Sequence, residues 1–243
     1  MPKIIEKFAE MLKKDRKDNI RRPKHIAITT DGKVEWAKRN KKSIEESLKL
    51  SFSRINEIIE EQIKLNIPIL TIHIFSSKTT KQDYFPAMTD ALVEYLAKLS
   101  ESDLINKNRV RFYVLGKWYD LPGRVVEPIK ELIKKTAENE EFFVNLCINY
   151  DGQEEILDAV KMIARQIKAE KIDVEAITEQ DIKENLYSSY FLPPDIMIKN
   201  GLKEIPNFLV WDMPDASIVF SGKLWPDFEK SDFVKIFENF GKW

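Results

Sequence analysis

The feature that most narrows the fold is an alternation. Short apolar runs rich in β-branched and aromatic residues stand at His25–Thr30, Pro68–Phe75, Val110–Leu115, Phe142–Asn149, Asp195–Ile198 and Asn207–Trp211. Helical periodicity fills Ile44–Leu65, Met88–Leu99, Val125–Ala137, Glu154–Ala169 and Thr178–Leu186. Parallel neighbours need crossovers of a dozen residues or more, and helices supply them, so the pattern predicts an α/β fold with a parallel sheet covered on both faces. No Gly/Ser/Pro-rich linker or long repeat interrupts it, and residues 23–243 read as one domain. Ahead of that domain, Ile4, Ile5, Phe8, Met11 and Leu12 share one face of an amphipathic helix within residues 1–22, followed by a basic tail. The stripe is read as packing on the domain, with contact to a membrane surface as the alternative.

The 39 basic and 40 acidic side chains nearly cancel, and the five tryptophans have no interleaved basic stripe, so no nucleic acid is expected. The single cysteine, Cys147, lies in an apolar run, which excludes an intrachain disulfide and a cysteine-based zinc site. It reads as a small core residue. His25 and His73 sit on strand-like runs and read as buried, hydrogen-bonded histidines rather than a metal pair. With no apolar stretch near the roughly 20 residues of a membrane span and no export signal, the expected location is cytoplasmic, with a membrane-peripheral option through the first helix.

Open parallel sheets bind ligands beyond the carboxyl ends of their strands. The first such loop carries Thr30-Asp31-Gly32-Lys33 and leads into a helix, where a carboxylate can hold a cation while helix-terminal N–H groups face an anion. The second, Ser76-Ser77-Lys78-Thr79-Thr80-Lys81, is hydroxyl-rich and basic, and the fourth opens on Asn149-Tyr150-Asp151-Gly152. Turn and cap chemistry accounts for each of these taken alone.

Seven collinear segments go further: HIAITTDG…WAK at His25–Lys38, ILTIHIFSS at Ile69–Ser77, VRFYVLGKWYDLP at Val110–Pro122, LCINYDGQEEI at Leu146–Ile156, PDIMIK at Pro194–Lys199, NFLVW at Asn207–Trp211, and LWPDF with a following DF at Leu224–Phe233. In these the chain resembles the cis-prenyltransferases, the undecaprenyl diphosphate synthase family, over about nine-tenths of its length. That family condenses an allylic diphosphate with isopentenyl diphosphate and threads the growing chain into an apolar tunnel. The resemblance implies a single domain with a six-stranded, mainly parallel sheet, helices around a tunnel, and a dimer built near the carboxyl-terminal third. It implies Mg²⁺ as cofactor, with Asp31 as both catalytic residue and metal ligand. Gly32, Lys33, Trp36, Ser76, Lys78, Asn149, Lys199 and Asn207 are the implied substrate-binding positions.

The departures from the family pattern concentrate on ligand-binding side chains. DGNGRWA has become Asp31-Gly32-Lys33-Val34-Glu35-Trp36-Ala37, which replaces an arginine by Glu35. FSSENWxRP has become Phe75-Ser76-Ser77-Lys78-Thr79-Thr80-Lys81-Gln82-Asp83, and NYGGRxEI carries Asp151 and Gln153 for a glycine and the arginine. In the isopentenyl diphosphate motif the arginines fall on Lys199 and Glu204 and the serine on Pro206. A lysine there is a point charge without the bidentate fork of an arginine. The metal-binding glutamate falls on Ser217, leaving Asp212 and Asp215 as candidate substitutes, and the arginine-x-glycine tail is missing from Phe240-Gly241-Lys242-Trp243. The expected function is therefore that of a degenerate, weakly active or non-catalytic subunit in polyprenyl diphosphate synthesis. Its partners would be prenyl diphosphates and a second chain, as a homodimer or as a heterodimer with a motif-complete homologue. The alternatives are an active prenyltransferase of altered substrate or non-head-to-tail chemistry, and a lipid-binding module that uses only the tunnel.

Overall fold

The computed structural model describes residues 22–240; the amphipathic segment expected within residues 1–22 and the last three residues fall essentially outside them. Six strands form one sheet: β1 (His25–Thr29), β2 (Ile69–Phe75), β3 (Val110–Leu115), β4 (Phe142–Ile148), β5 (Ile196–Lys199) and β6 (Ser217–Phe220), in the order β3-β4-β2-β1-β5-β6. Every pairing is parallel. The eight α-helices among the described residues are α1 (Lys33–Asn40), α2 (Ile44–Lys64), α3 (Phe85–Ser100), α4 (Asp103–Asn108), α5 (Gly123–Thr136), α6 (Gly152–Lys168), α7 (Glu179–Asn185) and α8 (Lys230–Asn239).

The alternation of side chains along the inner strands explains why they read as unbroken apolar runs. On β1, Ile26 and Ile28 enter the larger core with Leu48, Ile55 and Ile58 of α2 and Leu92 and Leu96 of α3. Ala27, between them, points to the other face, where Met197, Cys147, Tyr150, Phe208 and Leu209 form a second cluster. Cys147 is buried as expected.

One strand differs from expectation. Asn207–Trp211 is a turn, with Leu209 at φ 48°, and the sixth strand is Ser217–Phe220. Phe208 and Leu209 are apolar because they plug the second core, not because they pair with a neighbouring strand. The true edge strand is short and half exposed, so its apolar signal was weak.

Asp195 accepts from the backbone N–H groups of Lys24 (2.7 Å) and His25 (3.0 Å), which starts β5 beside β1. At the other end, Asn200 donates to the Thr29 carbonyl (2.7 Å) and accepts from the Ser221 hydroxyl (2.6 Å), tying the carboxyl ends of β1, β5 and β6 together. The LWPDF segment sits under the same corner. Trp225 is fully buried, stacks on Phe228 and donates to the Ser51 carbonyl of α2 (3.0 Å), while its backbone N–H donates to the Asp31 carbonyl (2.9 Å).

Candidate active site

The loops after β1, β2, β4 and β5 enclose a cavity of about 520 Å³ at the carboxyl edge of the sheet. Of the residues singled out from the sequence, Asp31, Gly32, Lys33, Ser76, Lys78, Lys199 and Asn207 line it. Trp36 and Asn149 do not. The Trp36 indole donates to Asp227 (2.7 Å) and clamps α1 onto the LWPDF turn. The Asn149 amide donates to the Lys117 carbonyl (2.9 Å) beside a separate cavity of about 420 Å³ that Lys78 also borders.

Asp31 stands two residues beyond the end of β1 and Lys199 ends its neighbour β5, so the two side chains meet at the carboxyl edge of adjacent strands. The Lys199 ammonium donates to Asp31 Oδ2 (2.7 Å) and to the Asn200 carbonyl (2.8 Å). The Lys199 side chain is 7% exposed, that of Asp31 44%. Burial works to raise the Asp31 carboxyl, but His73, Lys199 and Lys33 outweigh it and hold the group below the usual carboxylate range. His73 is itself pushed down by burial, against the opposing pull of Asp31 and its bond to the Tyr150 carbonyl.

Lys33 opens α1 and turns its ammonium inward, onto the Thr30 carbonyl, the Thr30 hydroxyl (2.6 Å) and the Ile74 carbonyl (3.2 Å). Burial lowers it to about 8, against the opposing pull of Asp31 and Glu35. Lys78 is exposed and carries no ion pair among the described residues. Asn207 serves the scaffold: its amide donates to Asp151 (2.6 Å), and its side-chain oxygen and backbone carbonyl accept from Gln153 and Gly152 at the start of α6. Asp151, in place of a glycine, caps α6 from the cavity wall.

Several lining residues escaped the sequence reading, chiefly His73, Thr30 and Tyr84. His73 reads as core because it sits mid-strand. It is hydrogen-bonded as expected, to the Tyr150 carbonyl (3.3 Å), yet its ring is at the cavity floor. His25 is fully internal, between the Leu192 carbonyl (2.6 Å) and the Thr71 hydroxyl (2.7 Å).

A magnesium ion is a hard cation that takes oxygen ligands, often one or two carboxylates together with substrate phosphates. Asp31 fits that role as a single protein ligand, since its second oxygen has no partner among the described residues; no group of three or more His, Cys, Asp or Glu that could hold a metal occurs among them. Neither candidate substitute for the missing glutamate reaches the cavity. Asp212 holds Lys183 through both oxygens (2.7 Å each) and accepts from Ser188 (2.6 Å), and with Asp215 it borders a different depression.

Tyr84 also lines a second cleft, of about 880 Å³, between α2 and α3. Phe52, Ala87, Ala91 and Tyr95 give it an apolar interior, and Phe52 and Tyr95 stack with ring centroids 4.7 Å apart. Charged residues such as Lys49, Asp90 and Lys98 form its rim. No described helix is long and apolar enough to cross a membrane.

A prenyltransferase family model described as undecaprenyl diphosphate synthase matches residues 29–243. The isoprenyl transferase of Heliobacterium mobile is 34% identical over 221 residues, covering 90% of this chain and 84% of its own. The tritrans,polycis-undecaprenyl-diphosphate synthase (geranylgeranyl-diphosphate specific) of Thermococcus kodakarensis is 32% identical over 235 residues, 96% of this chain and 88% of its own. Among solved structures, lavandulyl diphosphate synthase from Lavandula x intermedia, in complex with dimethylallyl diphosphate, superposes with a TM-score of 0.83 at 23% identity, covering 89% of this chain and 94% of that one.

Proposed function

Because the chain belongs to the undecaprenyl diphosphate synthase family of cis-prenyltransferases, we propose that it binds a prenyl diphosphate in the Asp31 cavity as a weakly active subunit whose output depends on a motif-complete partner. The observation that carries this is the state of the cavity's cations. Lys199 is held by Asp31, Lys33 is held by carbonyl and hydroxyl oxygens, and among the described residues Lys78 alone of the three carries no such partner. Glu35, Asp151 and Glu204 line the same walls. A diphosphate therefore meets less net positive charge than the arginines of the family pattern would supply.

The diphosphate would lie over Lys33, Lys78 and the Ser76 hydroxyl, with the prenyl chain passing Tyr84 into the cleft between α2 and α3. In the family reaction the allylic C1–O bond breaks as diphosphate leaves, C1 bonds to C4 of isopentenyl diphosphate, and a proton departs from C2. Magnesium, when bound, would neutralise phosphate charge, and Asp31 is the residue to hold it. Asn207 and Trp36 keep the walls in place through α6 and the LWPDF turn.

The second chain would pair along the β6 edge. Among the described residues that strand is the edge of the sheet, with Ile218 37% and Phe220 40% exposed, and edges of this kind are templates for association.

A second reading, an active enzyme of altered substrate, is favoured by the convergence of Asp31, Lys33, Ser76, Lys78 and Lys199 on one cavity joined to an apolar cleft. One assay separates the two. The purified chain is incubated with labelled isopentenyl diphosphate, an allylic primer and Mg²⁺, alone and mixed with a motif-complete homologue. The subunit reading expects little product alone and a rise on mixing. Turnover alone that is unchanged at every mixing ratio supports the second reading and removes the first.

A further inference from the structure

We propose that Lys199 is an internal cation seated on the metal-facing carboxylate, so that Asp31 takes a divalent ion only after a bound anion has drawn the ammonium away. The inference rests on the reading that the cavity receives a diphosphate, and it adds an order of events: anion first, metal second.

Three observations carry it. The ammonium is 2.7 Å from Asp31 Oδ2, the distance of a charge-assisted hydrogen bond. Lys199 is anchored at the end of a strand paired on both sides, and its side chain is 7% exposed, so it does not drift into solvent and leave the carboxylate open. Lys33, the other ammonium near Asp31, donates to the Thr30 and Ile74 oxygens and not to the carboxylate itself, so Lys199 is the cation seated on it.

A divalent ion on Asp31 would place two like charges on one carboxylate, an arrangement that a phosphate relieves by accepting the Lys199 N–H groups. Lysine suits this better than arginine. Its compact ammonium donates in any direction and can swing from carboxylate to phosphate, whereas a guanidinium would keep a fork on either partner. The same swing gives up the Lys199 N–H that the buried Asn200 carbonyl accepts, a cost that the contact with phosphate has to offset.

The test is a titration of the full chain with Mn²⁺ as a magnesium surrogate, followed by electron paramagnetic resonance, for the wild type, Lys199→Met, Lys199→Gln and the double variant Asp31→Asn/Lys199→Met. Removing the ammonium is expected to tighten Mn²⁺ binding by about tenfold or more, and the gain is expected to vanish in the double variant. Lys199→Gln retains a donor for the Asn200 carbonyl and gives the same reading if Lys199→Met folds poorly. Wild-type affinity equal to that of either single variant, or a gain that survives loss of the Asp31 carboxylate, would overturn the proposal. A parallel titration with inorganic diphosphate keeps the two levels apart. Diphosphate binding combined with equal Mn²⁺ affinities sinks the role of Lys199 alone, whereas no diphosphate binding with or without Mg²⁺ sinks the parent reading and the order of events with it.

Discussion

Lys199 Nζ lies 2.7 Å from Asp31 Oδ2, although 168 residues separate the two in the chain. Adjacent parallel strands ending at one level bring them together, so the pair reports on the sheet as well as on the site. Asp31→Ala leaves the ammonium in a nearly buried place with only the Asn200 carbonyl. The expected cost is about 1–3 kcal/mol, scaled down from a fully buried pair because the carboxylate is partly exposed. Asp31→Asn, which keeps an acceptor oxygen, should cost less. Urea denaturation of the three proteins measures both values, and equal midpoints would show that the pair does not stabilise the corner.

Gly32 has φ 95°, and a Cβ there would lie 2.6 Å from Leu224 Cδ2. Gly32→Ala therefore meets two obstacles, the left-handed backbone and the LWPDF turn. Adding Leu224→Ala removes the Cδ2 contact and leaves the left-handed backbone and the close approach of Cβ (3.0 Å) and Cα (3.2 Å) of residue 224. We expect Gly32→Ala to lose about 1–3 kcal/mol of stability, and the double variant to lose less than the sum of its single changes. Strict additivity in denaturation would refute the clash.

Trp225 is fully buried against Phe228, and its indole N–H is bonded to the Ser51 carbonyl. Trp225→Ala should cost about 3–5 kcal/mol, the range for deleting a large core aromatic. Trp225→Phe should recover most of the packing and lose the indole bond to the Ser51 carbonyl, which keeps its place in the α2 helix. A loss below about 1 kcal/mol for the alanine variant would contradict the packing described.

His25 is held near 4 by burial, against the opposing influence of the Leu192 carbonyl, Asp195 and Asp212. A histidine depressed in the folded state is neutral there while the unfolded chain already binds a proton. Its contribution is complete above about pH 6.5 and is lost as pH falls towards 4. At roughly 1.4 kcal/mol per pH unit the loss is of order 3 kcal/mol. Stability measured between pH 7 and pH 4 should fall more steeply for the wild type than for His25→Gln, and parallel curves would exclude this histidine as the cause.

The sheet was legible because its inner strands are buried on both faces, which makes each an apolar run; β1, β2 and β4 are the clearest cases. Asn207–Trp211 misled for the same reason, since a turn that fills a core carries the same apolar signature as a strand. Asp31, Lys33 and Lys199 were found as residues, but their bonds were not. Which ammonium neutralises which oxygen depends on strand level and side-chain reach, and neither leaves a mark in a linear pattern. His73 was the hardest to see, because alternation sends one strand residue to the core and the next to the cavity, and the sequence does not say where the sheet ends and the pocket begins.

The central claim is that the Asp31 cavity receives a diphosphate with a weakened grip. Calorimetric titration of the purified chain with a non-hydrolysable allylic thiodiphosphate in Mg²⁺ buffer tests it most directly. We expect saturable, weak binding that falls by about tenfold or more in Lys33→Met and Lys78→Met. Heat that is absent, or a tight interaction indifferent to both lysines, would contradict it.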